Sequence, residues 1–470
     1  MLLVGLHTIV ILICLVEIIC ALQDCHRRVI RLIVFSGIGL IHGLVPILTE
    51  PWQTRLNLPY EAHLEAAWFV VAGTLLLSLG ANLASFFFHK PIANESATSF
   101  RILKSLEVQK PLRWFTLFAI AIGFITWIAS VYFAGGTLLT ATNEGRFALR
   151  GQGNTTLVTV ALQFFALNYT AGFFAWFHHS KTFSSLSLAY TFGFSILIFF
   201  ISSGSRFAAL AVVGGSLIGF LLSRTVSVKK LAAGFVLALI LIFLTGVAIP
   251  LRHQMHNMSS KEIVQFVLSK DRLEPLLTSD PLNYHDTCIQ VLQAFPTQYD
   301  YVNAASYRRI LFFPIPSSFA PTLKPPDPNR KVAQALFGYE QAIAIDWMHP
   351  PGLFGDLWIN FWGWCSVTTF VAWGALLTVA NYYLIWSPKV LLFLGPSLFA
   401  TCILYLRGQP YTLGLNLLVS AVLITFLGQI TGLRHALKKC SQRFLMNRSV
   451  YKVNFQQQAT CRFINLSQFK

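Results

Sequence analysis

Eleven long apolar runs fill most of the chain, at residues 2–22, 29–49, 67–88, 114–134, 156–177, 185–202, 207–222, 231–249, 352–382, 388–406 and 411–432. Most reach the length at which an α-helix crosses about 30 Å of hydrocarbon. The 207–222 run is short and is accepted because 203–206 reads as a tight turn continuing the apolar region. Backbone polar groups in lipid must be satisfied within the protein, and the alternating faces of barrel strands are missing here. The predicted fold is therefore all-α and polytopic, with about eleven transmembrane helices.

Composition supports the same class: 55% of residues are apolar and only 11% are charged, far from an ordinary soluble domain. The expected organisation is helices 1–8 over 1–249, one large loop over 250–351, helices 9–11 over 352–432, and a basic tail over 433–470.

The net charge of +17 raises the question of nucleic acid, which the placement of Lys and Arg answers. Segments 23–28, 89–113, 178–184, 223–230, 383–387 and 433–470 hold 19 of these residues, and Lys389 makes 20. The short loops on the other side, 50–66, 135–155, 203–206 and 407–410, hold five: Arg55, Arg146, Arg150, Arg206 and Arg407. Short basic loops stay cytoplasmic, whereas long loops cross largely regardless of charge. The N-terminus is thus predicted outside, with the 250–351 loop, and the C-terminus inside. The eight Lys and Arg of the tail read as a cytoplasmic anchor near anionic lipid, and no nucleic-acid partner is expected.

The first run lacks a basic leader and a small-residue cleavage site, and so reads as a span. Glu17 within it is open to two readings, a buried functional carboxylate or a residue near the cytoplasmic interface. Of eight cysteines only Cys288 falls in the outer loop, so no intrachain disulfide is expected there. Zinc-ligand spacing, a phosphate-binding loop, a dinucleotide fingerprint and a serine-nucleophile elbow are all missing, and neither metal nor cofactor is expected.

Polar signals gather on the predicted outer face. Loop 135–155 carries Arg146 and Arg150, which share a face if the segment is helical. Ser202, Ser203, Gly204 and Ser205 form a polar break before Arg206, an arginine at a span junction that is costly unless water, a carboxylate or an anion lies near. A snorkelling interfacial anchor is the alternative. Arg407 repeats the pattern between the last two spans, followed by Gly408 and Pro410. Arginine stays charged and its planar fork donates paired hydrogen bonds to oxyanions, which suits a diphosphate.

The long loop is predicted to hold helices at 260–276 and 284–294. Its charged candidates are Arg252, Asp271, Arg272, Asp280, Asp286, Arg308 and Arg309. The prolines of 307–326 enforce an extended, kinked path, either dipping into the interface or serving as a stiff connector, with Lys324 at its end. At 348–364 the chain re-enters the membrane. There His349 and Asp356 are titratable, and Asp356 shares a helical face with Asn360. Asp356 reads either as a general base or as a charge favoured by a helix N-terminus.

Four pieces of this chain, in this order, resemble the Wzy-type O-antigen or oligosaccharide repeat-unit polymerases of bacteria. They are the turn SSGSR at 202–206, the proline-rich FFPIPSSFAPTLKP at 312–325, the re-entry PPGLFGDLWINFWGW at 350–364, and the pair Arg407–Gly408. The many-span layout with a large outer loop extends the resemblance over almost the whole chain. One departure is Ser317, where such polymerases often carry arginine after the proline; another is Asp356, where glutamate is common.

The resemblance implies a GT-C-like bundle in the bacterial inner membrane, acting in lipopolysaccharide or capsule-type polysaccharide biosynthesis. The growing glycan would leave undecaprenyl diphosphate and join a new lipid-linked repeat unit at the periplasmic face, with a chain-length regulator as a possible partner. Arg206 and Arg407 would clamp the diphosphate without a divalent cation, with Arg252, Arg308 and Lys324 as secondary ligands. Asp356, or else His349, would deprotonate the acceptor hydroxyl. An O-antigen ligase and a non-enzymatic lipid-linked glycan flippase are the rivals. The ligase is expected to have a more histidine-rich loop end, and the flippase to have charges lining its mid-spans.

Overall fold

The computed structural model describes residues 1–23, 25–49, 58–87, 105–133, 284–312, 328–338, 350–386 and 398–440, with a few isolated positions besides. Every described element is helical, and no strand occurs among the described residues. The runs at 156–177, 185–202, 207–222 and 231–249, the helix expected at 260–276 and the proline-rich 313–327 lie outside the described residues.

The N-terminal runs form helices of the expected length. α1 spans Leu2–Gln23. α2 starts at Cys25–Ile38, passes through a π-helical stretch at Gly39–Leu44 and ends with the turn Val45–Leu48. α3 spans Tyr60–Phe87 and α4 spans Leu106–Phe133. The large loop contributes α5 (Tyr284–Ala294), α6 (Ala305–Leu311) and α7 (Pro328–Phe337). α8 (Gly352–Asn360) precedes α9 (Val367–Trp386), and α10 (Leu398–Leu406) precedes α11 (Pro410–Ile430). Among the described residues four segments are long and apolar enough to cross a membrane: Leu2–Gln23, Arg28–Leu48, Tyr60–Phe87 and Gly363–Leu384.

The run read as one span over 352–382 is two helices. After Asn360 the backbone turns left-handed at Trp362 (φ 59°) and Gly363 (φ 64°), makes one 3₁₀ turn, and only then starts α9. α8 is therefore a separate, wholly buried helix, and Asp356 lies outside the crossing segment. Hydropathy alone does not register this corner, because its residues, Phe361 to Ser366, are themselves mostly apolar.

α3 and α9 run parallel in close contact. A Cβ on Gly80 would come within 2.0 Å of the Val371 carbonyl oxygen, and one on Gly374 within 2.0 Å of the Leu77 carbonyl oxygen. Glycine is what lets two backbones meet so closely, as in membrane helix pairs generally. Thr378 Oγ1 donates to the Ala81 carbonyl at 3.0 Å, with the same 297-residue offset as Leu77 to Gly374, so the register is that of parallel helices.

α1 and α2 are antiparallel and are pinned at both ends. Towards one end Glu17 pairs with Arg31, both fully enclosed. Asn82 Nδ2 donates to Glu17 Oε1 (2.9 Å), Ser78 donates to the same oxygen, and Arg31 donates to Asn82 (2.8 Å) and Ser85 (3.0 Å). Glu17 is thus a buried carboxylate in a polar clasp joining α1, α2 and α3. At the opposite end His7 Nδ1 bonds the His42 carbonyl at 2.6 Å. Helices α5, α6 and α8 and the α10–α11 connection gather at this second end, where Tyr284, Ser306, Gly352 and Gly408 sit.

Candidate functional site

The site is built where three connections meet. The C-terminus of α10 stops at Gly408, whose φ of 64° suits a left-handed helix terminator, and Pro410 opens α11 at a position where its missing N–H costs nothing. Arg407 is thereby held at the tip of a tight helical hairpin. Its carbonyl accepts from the Gly352 N–H at 3.1 Å. A Cβ on Gly408 would come within 2.1 Å of the Gly352 oxygen and 2.9 Å of Asp356 Cβ. The structure thus brings together Arg407–Gly408 and the re-entry segment, two of the four pieces singled out in the sequence.

The Arg407 guanidinium lies over the Tyr284 ring, 6.0 Å from its centroid, in cation–π range. Its Nε is buried with no hydrogen-bond partner, and no acidic side chain pairs with it among the described residues. Tyr284 comes from α5, which packs on α8: its Cβ lies where a side chain on Gly352 would be, at 3.1 Å. Trp358 Nε1 adds a 3.0 Å bond to the Phe295 carbonyl.

Asp356 occupies the second turn of α8 and is 2% exposed. Its carboxylate accepts from Ser306 Oγ (3.1 Å) and Asn360 Nδ2 (3.0 Å) at Oδ1, and from Tyr307 OH (2.8 Å) at Oδ2. Burial pushes the carboxyl up to about 7, against the downward pull of Tyr307, Ser306 and Asn360. Burial and the neighbouring Asp356 charge raise the Tyr307 hydroxyl well above its ordinary range. The helix-N-terminus reading of Asp356 is overturned, because side-chain donors rather than first-turn amides hold it. Asn360 shares its face, as the spacing predicted, and also accepts from the Ser306 N–H (3.2 Å). Asp356 is thus the knot that ties α6 to α8.

Arg308 is exposed on α6, one residue after Tyr307, so it projects from the element that Asp356 anchors. Arg206, Arg252, Lys324 and His349 lie outside the described residues.

Sequence reasoning missed Tyr284, Ser306 and Tyr307, as well as a buried histidine cluster. His42 Nδ1 and His285 Nδ1 are 3.2 Å apart, and the His7 and His285 rings meet edge to face at 4.7 Å. These rings come from α1, the π-helical stretch of α2, and α5, and they fasten α5 to the bundle behind Tyr284. The available signal was the π-prone Gly39–Gly43 pair beside His42, which is too weak to read unaided.

Comparison of the chain with protein-family models, with curated proteins and with solved structures finds no match.

Proposed function

We propose that the protein is a membrane glycosyltransferase that polymerises lipid-linked oligosaccharides at the periplasmic face of a bacterial inner membrane. One observation carries the reading: an arginine without a carboxylate partner among the described residues is locked through its backbone to the helix bearing a buried, hydrogen-bonded aspartate. Arg407 grips the diphosphate of the donor lipid. The acceptor hydroxyl attacks the anomeric carbon as the bond from that carbon to the diphosphate oxygen breaks. The lipid diphosphate leaves with the electron pair, and the hydroxyl proton passes to Asp356, whose affinity near neutrality suits both uptake and release. A fixed guanidinium stabilises the charge that develops on the leaving group.

The test is surface-polysaccharide gel banding in a deletion strain carrying the wild-type gene or variants. Arg407→Ala, expressed at the wild-type level, is expected to leave single-repeat product and to lower chain extension about 10²–10³-fold. Arg407→Lys is expected to restore little, because a lysine cannot form the paired fork. Normal long chains with Arg407→Ala remove the arginine from the mechanism. A deletion that strips all glycan from the lipid A core identifies a ligase instead.

A further inference from the structure

We infer that Trp362, at the corner between α8 and α9, is a stacking platform for a sugar ring of the glycan substrate. The inference rests on the polymerase reading and adds a subsite to it. Trp362 is 56% exposed although it is a large aromatic. It is one of only three non-glycine residues with positive φ among the described residues, and the other two, Asn303 (φ 50°) and Ala304 (φ 58°), lie in the strand of chain beside it. The two corners are stitched by the Ala304 N–H to the Asn360 carbonyl at 2.9 Å and the Val302 N–H to the Ile359 carbonyl at 2.9 Å. A bulky residue persists in this backbone region only where its surroundings dictate it.

The indole is fixed as well as exposed. Its Nε1–H donates to Asn303 Oδ1 at 2.7 Å. Here the N–H is spent inside the protein, which leaves a rigid apolar face as the recognition surface. Polar groups flank it: the Asn303 amide nitrogen has no partner among the described residues, and the Tyr301 hydroxyl lies 2.5 Å from where a Cβ on Gly363 would be. A flat hydrophobic face flanked by an amide and a hydroxyl matches a pyranose, whose C–H face is apolar and whose rim is hydroxyl. The platform follows Asn360, a partner of Asp356, by two residues in the chain.

The probe is the oligosaccharide released by mild acid from the single-repeat lipid precursor that the deletion strain is expected to accumulate. It is titrated against wild-type protein in nanodiscs. Trp362→Ala is expected to weaken binding about tenfold, and Trp362→Phe by a smaller factor, since the phenyl face remains. Tyr301→Phe, which removes one hydroxyl and leaves the packing intact, is expected to weaken it several-fold. Arg407→Ala should bind the diphosphate-free probe like wild type while losing polymer. Unchanged binding in both Trp362→Ala and Tyr301→Phe overturns the platform alone, as does a Trp362 effect confined to quenching by brominated lipid. Failure of the deletion strain to accumulate a single-repeat precursor overturns the polymerase reading and the platform with it.

Discussion

Gly408 and Asp356 set the strictest local requirements. An alanine at 408 would be strained by the left-handed backbone, about 1–2 kcal/mol, before its Cβ met the Gly352 oxygen. Gly408→Ala is therefore expected to fail in both thermal stability and polymer formation, whereas a wild-type melting temperature would show that the hairpin yields. Asp356 holds its proton to about pH 7 in the folded chain but only to 3.8 when unfolded. The folded state binds more protons across that window, so this group's contribution to stability is greatest below it and fades as pH rises through it. Melting of the detergent-solubilised protein between about pH 4 and 8 should show this slope in the wild type and a flatter one in Asp356→Asn. That Asp356 and Arg407 stand at helix junctions was legible, because a charge beside a span is costly and therefore stands out. Ser306, Tyr307 and Tyr284 were not, since nothing local marks a hydroxyl whose partner lies 50 residues away.

At the level of elements, hydrophobic length foretold α1, α3, α4 and α11 to within a few residues at most boundaries, and α5 from its composition. It misjudged α8 and α9, because burial against protein and burial against lipid demand the same apolar side chains. The Glu17–Arg31 clasp went unseen for a related reason: Arg31 sits in an apolar run, and its partners come from two other helices. Removing one member of a buried pair leaves an uncompensated charge and typically costs about 3–5 kcal/mol, whereas replacing both members with apolar residues is often near neutral. Arg31→Ala should thus lower the fraction of monodisperse protein in detergent sharply, and the double variant Glu17→Leu, Arg31→Met should recover much of it. Equal losses in the two would mean that the hydrogen-bonded network, not the stranded carboxylate, holds the three helices.

Across the whole molecule, the described helices sort their termini into two groups. Residues 1–7, 42–48, 58–63, 284–312, 350–363 and 407–410 lie at one end, and Arg28, Ser85, Glu107 and Cys440 lie at the other. The sequence assigned these groups to opposite sides of the membrane from Lys and Arg placement alone. α4 starts at the second end and α9 at the first, so the chain between them returns to the face that α4 reaches. The four runs read between 156 and 249 make the even number of crossings such a return requires, though they lie outside the described residues. Cys365 is exposed in the α8–α9 corner, and Cys440 lies beside Glu107. In intact cells a membrane-impermeant maleimide is expected to label a variant retaining only Cys365 and to spare one retaining only Cys440. The reverse pattern would invert the orientation and take the site away from the periplasm.

The close contacts at Gly408, Gly80 and Gly374 share a property with a genetic consequence: each abuts the oxygen of a peptide group rather than the end of a side chain. A substitution elsewhere can trim a side chain, but none can trim a carbonyl. Suppressor selections begun from enlarged residues at these three positions should therefore yield true revertants, and few second-site changes in the opposing segment.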